Sequence, residues 1–316
     1  MLVYTARRLV AMIPLLVAVA TITFFLMQTV QGGPFDSDRP LSPSAKANLE
    51  ARYGLDDPLH VQYFKYLGNL AQGDLGISFA NNDRDVRVII KERMKYSAQL
   101  GIGAFIFASV FGLGLGTLSA LKQNGPGDYA GVFIATAGAA MPSFVLAPLL
   151  TIFFAVNLGW FNVLSYDYGF VDWFKGDFSN WRQVILPTIA LGFLPMAFIA
   201  RISRAAMIEV LRQDYVRTAR AKGLQERKVI VGHGVKNALI PVLTVMGPIL
   251  ADLITGSLII ERAFNIPGLG QEFVRAVLIR DYGLIMGVTV FFTVIIAFMN
   301  LAVDLLYGIA DPRIRY

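Results

Sequence analysis

Residues 96–121 read YSAQLGIGAFIFASVFGLGLGTLSAL and contain no charged side chain. A helix of about 20 apolar residues crosses the roughly 30 Å hydrocarbon core of a bilayer, so this stretch is long enough to span a membrane. It lacks the alternating polarity of a barrel strand, and backbone in lipid must satisfy its own hydrogen bonds. The stretch therefore predicts a transmembrane helix.

Five further windows have the same character. They are 9–35, 129–166, 183–200, 237–260 and 282–303, and only 237–260 contains a charge, Asp252. Splitting 129–166 into two spans would place the most basic short loop outside. We therefore expect one helix near 130–156, ended by the interfacial residues Gly159–Asn162. The chain is predicted to be an all-α integral membrane protein with six transmembrane helices.

The composition agrees with this class. Apolar residues make up 55% of the 316 residues and charged residues 16%, whereas soluble domains carry about 25% charged residues. The mean hydropathy is +0.57. The absence of cysteine excludes disulfide scaffolds, thiolate metal sites and thiol nucleophiles. His60 and His233 have no second histidine or cysteine at ligand spacing, so no metal site is predicted.

The positive charges predict the topology. The loop 201–236 carries nine Lys and Arg residues, and the segments on its side of the membrane carry 14 basic against five acidic residues. Short cytoplasmic loops are enriched in Lys and Arg, so both termini are predicted to be cytoplasmic. The net charge of +6 is then explained by topology rather than by nucleic-acid binding. Residues 1–30 are too long and apolar for a signal peptide and lack a small-residue cleavage site, so we expect an uncleaved first helix.

The outer segment 31–95 is expected to form a helical extracytoplasmic subdomain between the first two transmembrane helices. Capping residues predict one helix from Ser42 to Gly54 and another from Asp57 to Gly73. A third helix is expected to run from about Val86 into the second span. The second helix carries an apolar stripe that either packs as a lid or docks a partner, formed by Val61, Phe64, Leu67 and Leu70.

The loop 201–236 predicts a helix of its own. Residues Ile208–Lys222 lack proline and glycine, and Gly223 is the expected left-handed cap beyond the C-terminus. Ala219 and Ala221 offer a small-residue surface for close approach by another protein. A positive anchor helix lying on the headgroups is the alternative.

The stretch Asp214–Leu224, DYVRTARAKGL, resembles the EAA loop of ABC importer permeases, in the version used by the peptide/nickel branch. Further stretches of the chain are similar to the same branch: Gly73–Ser78, Tyr53–Pro58, Asn237–Pro241, Glu261 with Ile266–Gly270, and Asp311–Tyr316. The resemblance covers Arg7 to Tyr316 and is strongest to B-type oligopeptide permeases. One departure is Arg217, which stands where the general motif has glutamate, as is usual in the peptide branch.

This resemblance implies a type I ABC importer permease fold. The permease core would span 96–310, followed by a cytoplasmic tail, 311–316. A short coupling helix in the loop would sit in a cleft of an ATP-binding subunit. The resemblance assigns eight residues to coupling: Asp214, Tyr215, Arg217, Thr218, Ala219, Arg220, Ala221 and Gly223.

The chain is not expected to be an enzyme. It has no G-x-x-x-x-G-K-[ST] motif and no Gly-Lys dipeptide, so ATP and Mg²⁺ would be bound by partner subunits and no cofactor by this chain. The resemblance implies a bacterial plasma (inner) membrane location and these partners: a second homologous permease, two ATP-binding subunits and an extracytoplasmic solute-binding protein. Peptides are the expected cargo. Nickel or another small solute is the alternative, disfavoured by the missing histidine or cysteine cluster.

Ionisable and helix-breaking residues at membrane depth indicate the translocation path. Asp252 would face a water-filled path or pair with a partner permease. Pro142, Pro195 and Pro248 are expected to interrupt spans near the path, which would be lined at Met141, Pro142, Ser143 and Phe144. An intramembrane hydrolase is the alternative of a different class. It is disfavoured because Asp252 and Asp304 do not lie at matched depth and no base accompanies a serine.

Overall fold

The computed structural model describes residues 2–29, 53–81, 83–161 and 181–310, together with residues 44, 48 and 51. The predicted helix from Ser42 and the predicted tail 311–316 lie mainly or entirely outside these residues. The described chain forms two compact units. Unit 1 contains residues 96–266 and the chain from 299, and unit 2 contains residues 2–95 and 267–298.

The described elements are almost entirely helical. In chain order they are α1 (Leu2–Thr29), α2 (Leu59–Ala71), β1 (Ile77–Ser78), β2 (Arg84–Asp85), α3 (Val86–Leu121), α4 (Pro126–Ala140), α5 (Ser143–Leu150), α6 (Trp181–Leu211), α7 (Asp214–Ala221), α8 (Glu226–Val229), α9 (Lys236–Thr255), α10 (Leu258–Ala263), α11 (Leu269–Leu278) and α12 (Tyr282–Ala310). Two π-helical segments extend them, Thr151–Asn157 after α5 and Ile230–Val235 between α8 and α9.

Five described helical stretches are long and apolar enough to cross a membrane: Tyr4–Thr29, Val86–Leu121, Trp181–Leu211, Glu226–Thr255 and Tyr282–Leu305. The predicted interruption at Pro142 is confirmed, but it divides the expected single helix near 130–156 into two. Helix α4 and the segment Ser143–Asn157 are bent by 109° to each other, and they give the sixth predicted span only if counted as one broken span. The cause is Pro142, which keeps Met141 extended, at φ −94° and ψ 114°, and cannot continue the helix.

The predicted span 237–260 also breaks. Helix α9 ends at Thr255 because Gly256 takes a left-handed φ of +96°, and Ser257 then caps α10 by accepting a hydrogen bond from the Ile260 amide. A Cβ atom at Gly256 would lie 2.6 Å from Glu261 Oε1, so this turn also requires a small residue. The predicted interruptions at Pro195 and Pro248 are wrong, because these prolines lie inside α6 and α9.

Helix α6 is the centre of packing in unit 1. It packs against α4, α5 and α9, and twelve of its residues are buried. Glycines on α3 allow close approach to α6. A Cβ atom at Gly112 would lie 2.9 Å from Ile199 Cβ, and one at Gly116 would lie 2.5 Å from the Ala200 carbonyl oxygen. Small residues at helix interfaces are the main means of tight packing in lipid, where the hydrophobic effect does not drive helices together.

In unit 2, aromatic side chains join α1 to α2. The Phe24 ring lies 5.5 Å from that of Tyr63 and 5.8 Å from that of Tyr66, and the Thr21 and Tyr63 hydroxyls are 2.7 Å apart. The predicted apolar stripe is therefore not the main contact face, and its member Phe64 is 67% exposed. The second predicted helix is confirmed, and Gly73 beyond its end has φ +77°.

Asp281 joins the segment that contains β1 to the start of α12 in unit 2, and this contact was not predicted. The carboxylate accepts hydrogen bonds from the Ser78 hydroxyl, the Phe79 amide (3.0 Å) and the Ala80 amide (3.3 Å). A Cβ atom at Gly283 would lie only 1.8 Å from the Ile77 carbonyl oxygen. The stretch ending at Ser78 is thus fixed to the start of α12.

Candidate functional site

The predicted docking helix is α7, a short helix carried between two long ones. The expected single helix Ile208–Lys222 is wrong, because α6 ends at Leu211 and Gln213 is extended, at φ −70° and ψ 148°. The chain turns here without proline or glycine. The turn brings together the apolar faces of the helices on its two sides. Their burial from water stabilises the turn, although no helix-breaking residue is present.

The inner face of α7 closes a small apolar cluster, which we call the loop cluster. Val216 and Val229 are fully buried and Ala219 is 5% exposed, with Val210 and Leu211 packed against them. The prediction that Ala219 offers a surface for a partner is therefore wrong. Its small side chain instead lets α7 pack closely within its own loop.

The outer face of α7 is exposed and mainly polar. Opposite the buried side lie Asp214, Arg217, Thr218 and Ala221, all exposed. Arg217 and Asp214 approach to 3.6 Å, but such an exposed pair contributes little, typically about 0–1 kcal/mol. Tyr215 flanks this face and is 43% exposed. Ala221, rather than Ala219, is the small residue that a partner can approach.

The turn after α7 is held by backbone conformation and by an ion pair. Gly223 has the predicted left-handed conformation, with φ +77°, and a Cβ atom there would meet nothing within 4 Å among the described residues. Its role is thus conformational rather than steric. Arg220 donates two hydrogen bonds to Glu226, at 2.7 and 3.2 Å, which raises the pKa of the guanidinium.

The loop is joined to two membrane helices. Helix α6 leads into α7, and the π-helical segment Ile230–Val235 leads from α8 into α9. A Cβ atom at Gly234 would lie 3.3 Å from Met207 Cε, so this segment lies against the end of α6. A second apolar cluster, with buried Ala206, Met207 and Ala238, adjoins the loop cluster through Val210 and Leu211. Displacement of α7 would therefore act on both α6 and α9.

A buried ion pair beside the loop was not predicted. Arg204 donates to both carboxylate oxygens of Asp128, at 2.7 and 2.6 Å, and the Asn124 amide donates a third hydrogen bond at 2.9 Å. Asp128 is 3% exposed. Arg204 is one of the nine basic residues of the predicted loop 201–236, but it lies within α6. The pair ties the start of α4 to α6.

The predicted path residues lie in unit 1. Met141–Phe144 form the bend between α4 and α5, and Phe144 is 58% exposed. Asp252 lies in α9 with an exposed side chain, and no described cation pairs with it. An exposed carboxylate on so apolar a helix requires water or a partner protein. Among the described residues there is no group of three or more His, Cys, Asp or Glu that could hold a metal ion.

Several apolar spans, one sharply bent, and an amphipathic helix carried between two of them define a multi-pass membrane protein. Residues 112–316 match the family described as binding-protein-dependent transport system inner membrane component. Residues 1–100 match the N-terminal family of such membrane components. The chain therefore belongs to the binding-protein-dependent transport system inner membrane component family.

Relatives and solved structures agree. The chain is 43% identical over 316 residues to the oligopeptide transport system permease protein OppB of Escherichia coli K12, covering 100% of both chains. It is 43% identical to the dipeptide transport system permease protein DppB of Bacillus subtilis, covering 99% of this chain and 97% of that one.

Among solved structures, inward-facing conformations of the MetNI methionine ABC transporter give a TM-score of 0.54 at 15% identity, covering 71% of this chain and 97% of that chain. An amino acid ABC transporter gives a TM-score of 0.52 at 14% identity, covering 70% of this chain and 94% of that chain. These matches show the fold, that of a type I ABC importer permease.

Proposed function

We propose that this chain is a permease subunit of an ATP-driven importer and forms half of the translocation pathway for oligopeptides or dipeptides. The observation that carries the proposal is α7, an amphipathic helix held by the loop cluster with a polar face exposed. Full-length identity of 43% to permeases named for oligopeptide and dipeptide transport supports peptide cargo.

The proposed assembly contains a second homologous permease, two ATP-binding subunits and an extracytoplasmic solute-binding protein. The sequence lacks a phosphate-binding loop, so ATP and Mg²⁺ would bind to the partner subunits. The distribution of Lys and Arg supports cytoplasmic termini, and α7 would then lie on the same side as the ATP-binding subunits.

Coupling would use the two faces of α7 differently. Asp214, Arg217, Thr218 and Ala221 would contact the ATP-binding subunit, with Tyr215 at the edge of the contact. Val216 and Ala219 would transmit displacement into the loop cluster and on to α6 and α9. A packed cluster transmits force because its side chains cannot be compressed independently of one another.

The path for substrate would run beside the α4–α5 bend. Broken backbone is tolerated at membrane depth where it is buried in protein or lines a cavity, which supports a lining role for Met141–Phe144. Asp252 would either meet the ammonium group of a peptide or pair with a basic residue of the second permease. An Asp252→Asn variant separates these roles. Loss of peptide uptake with intact assembly supports substrate contact, and loss of assembly supports pairing.

The cargo is tested by reconstituting the importer in liposomes and measuring uptake and ATP hydrolysis with a tripeptide, a dipeptide and a nickel chelate. Peptides are expected to raise both rates in the presence of the solute-binding protein. A nickel chelate that raises both rates while peptides raise neither would contradict peptide cargo without contradicting the permease assignment.

A further inference from the structure

An apolar groove runs between α3 and α6 within unit 1. It has a volume of about 540 Å³, which falls in the roughly 300–1,000 Å³ range of ligand pockets. Gly103, Phe107 and Val110 line it from α3, and Trp181, Ile185 and Thr188 line it from α6. Gly103 leaves its stretch of the groove open because it has no side chain. The groove is thus shaped for an apolar occupant.

An aromatic and a cationic residue adjoin this groove where α6 begins. Trp181, a lining residue, is 50% exposed, and Arg182 Cζ lies 5.6 Å from the centroid of the Trp181 ring. The Arg182 side chain is exposed, and no carboxylate pairs with it among the described residues. Tryptophan is enriched at the headgroup level of membranes, and a guanidinium binds phosphate oxygens in bidentate geometry. The pair is therefore suited to a phosphate headgroup.

The lining of the groove distinguishes a lipid chain from a protein helix. The lining residues lie at 103–111 on α3 and 181–189 on α6. These two segments are staggered along the helices, because a Cβ atom at Gly192 of α6 would lie 2.7 Å from the Ala104 carbonyl oxygen of α3. The groove therefore runs along the helices, as an extended acyl chain requires. Its bulky phenylalanine, isoleucine and valine side chains differ from the small-residue stripes that helix pairs use.

We propose that this groove is a phospholipid site, with one acyl chain between α3 and α6 and the headgroup phosphate on Arg182. Anionic glycerophospholipids would be favoured, because their net charge complements the exposed guanidinium of Arg182. A bound lipid would fill the space between α3 and α6, and α6 leads directly into the loop that carries α7. The site is independent of the cargo and of the partner subunits.

The test uses the full chain, purified in detergent with whatever subunits accompany it, and native mass spectrometry of retained lipid. The probe is an equal mixture of phosphatidylglycerol and phosphatidylcholine. Gly103→Leu fills the groove, and Gly114→Leu is the matched control because a Cβ atom at Gly114 meets nothing within 4 Å. Arg182→Gln removes the cation, and Arg201→Gln is its control on the same helix.

The unaltered chain and both controls are expected to retain phosphatidylglycerol over phosphatidylcholine. Arg182→Gln should lower this preference about fivefold, the factor that corresponds to one basic residue near a membrane surface. Gly103→Leu should abolish the retention of both lipids. If Gly103→Leu does not fold, Thr188→Leu provides the same test. Equal retention by Gly103→Leu and Gly114→Leu would overturn the proposal. A photoactivatable group at Val110 that labels a second permease subunit rather than lipid would also overturn it.

Discussion

The two alanines of α7 give the sharpest test of how the docking loop is built. Ala219 is 5% exposed within the loop cluster, whereas Ala221 is exposed on the outer face. Changing Ala219 to Leu adds three carbon atoms to a filled site, and overpacking of this kind costs about 1–3 kcal/mol. The same change at Ala221 adds them to a free surface, where substitutions usually alter stability by less than about 0.5 kcal/mol.

The loop cluster is small, so the cost at Ala219 should be a large fraction of its local stability. Limited trypsin digestion reports this, because α7 and the turn after it carry Arg217, Arg220 and Lys222. We expect Ala219→Leu to open the loop to trypsin while the spans remain protected. Ala221→Leu should remain resistant, yet it should weaken binding of the ATP-binding subunit, since the added atoms meet that partner.

Both variants are then assayed in liposomes for ATP hydrolysis and peptide uptake. Ala219→Leu should lower uptake more than hydrolysis, because a loosened helix no longer transmits its displacement to α6 and α9. Ala221→Leu should lower both together through weaker assembly. If Ala221→Leu opens the loop to trypsin and Ala219→Leu does not, the assignment of inner and outer faces is wrong.

Three further outcomes are expected. Asp128→Asn should lower the melting temperature, and a double-mutant cycle with Arg204→Gln should show coupling, because the two side chains share two hydrogen bonds; additive effects would contradict the pairing. Gly101→Val should abolish folded protein, measured by size-exclusion yield, because a Cβ atom there lies 2.2 Å from the Leu253 carbonyl oxygen; normal yield would contradict this packing. Gln99→Met should raise the melting temperature of the isolated subunit, since the buried amide oxygen of Gln99 has no hydrogen-bond partner among the described residues and such a group costs about 1–3 kcal/mol; a lower melting temperature would contradict this.

The spans could be predicted because lipid imposes a simple requirement, a long run without charge. The left-handed turn at Gly223 was equally predictable, because few residues other than glycine tolerate that conformation. The bend at Pro142 carried a signal in the sequence. The angle of the bend could not be predicted, because a charge-free window does not report how far the helices on the two sides of a proline turn from each other.

The details of the site were not predictable because they depend on contacts between distant residues. The turn at Arg212–Gln213 contains no helix-breaking residue and follows from closure of the loop cluster. Asp128 and Arg204 are 76 residues apart, and their pairing requires α4 and α6 to be adjacent. The composition of the loop and its glycine cap likewise predicted a helix without indicating which alanine faces inward.

The central claim, that the outer face of α7 contacts an ATP-binding subunit, is tested most directly by disulfide crosslinking. The chain contains no cysteine, so a single cysteine replacing Thr218 reports on that position alone. Paired with cysteines in the surface cleft of the ATP-binding subunit, it should crosslink and arrest peptide-stimulated ATP hydrolysis until the disulfide is reduced. A cysteine replacing exposed Gln72 in the outer segment should not crosslink. Failure of the Thr218 cysteine to crosslink in a complex that hydrolyses ATP normally would contradict the account.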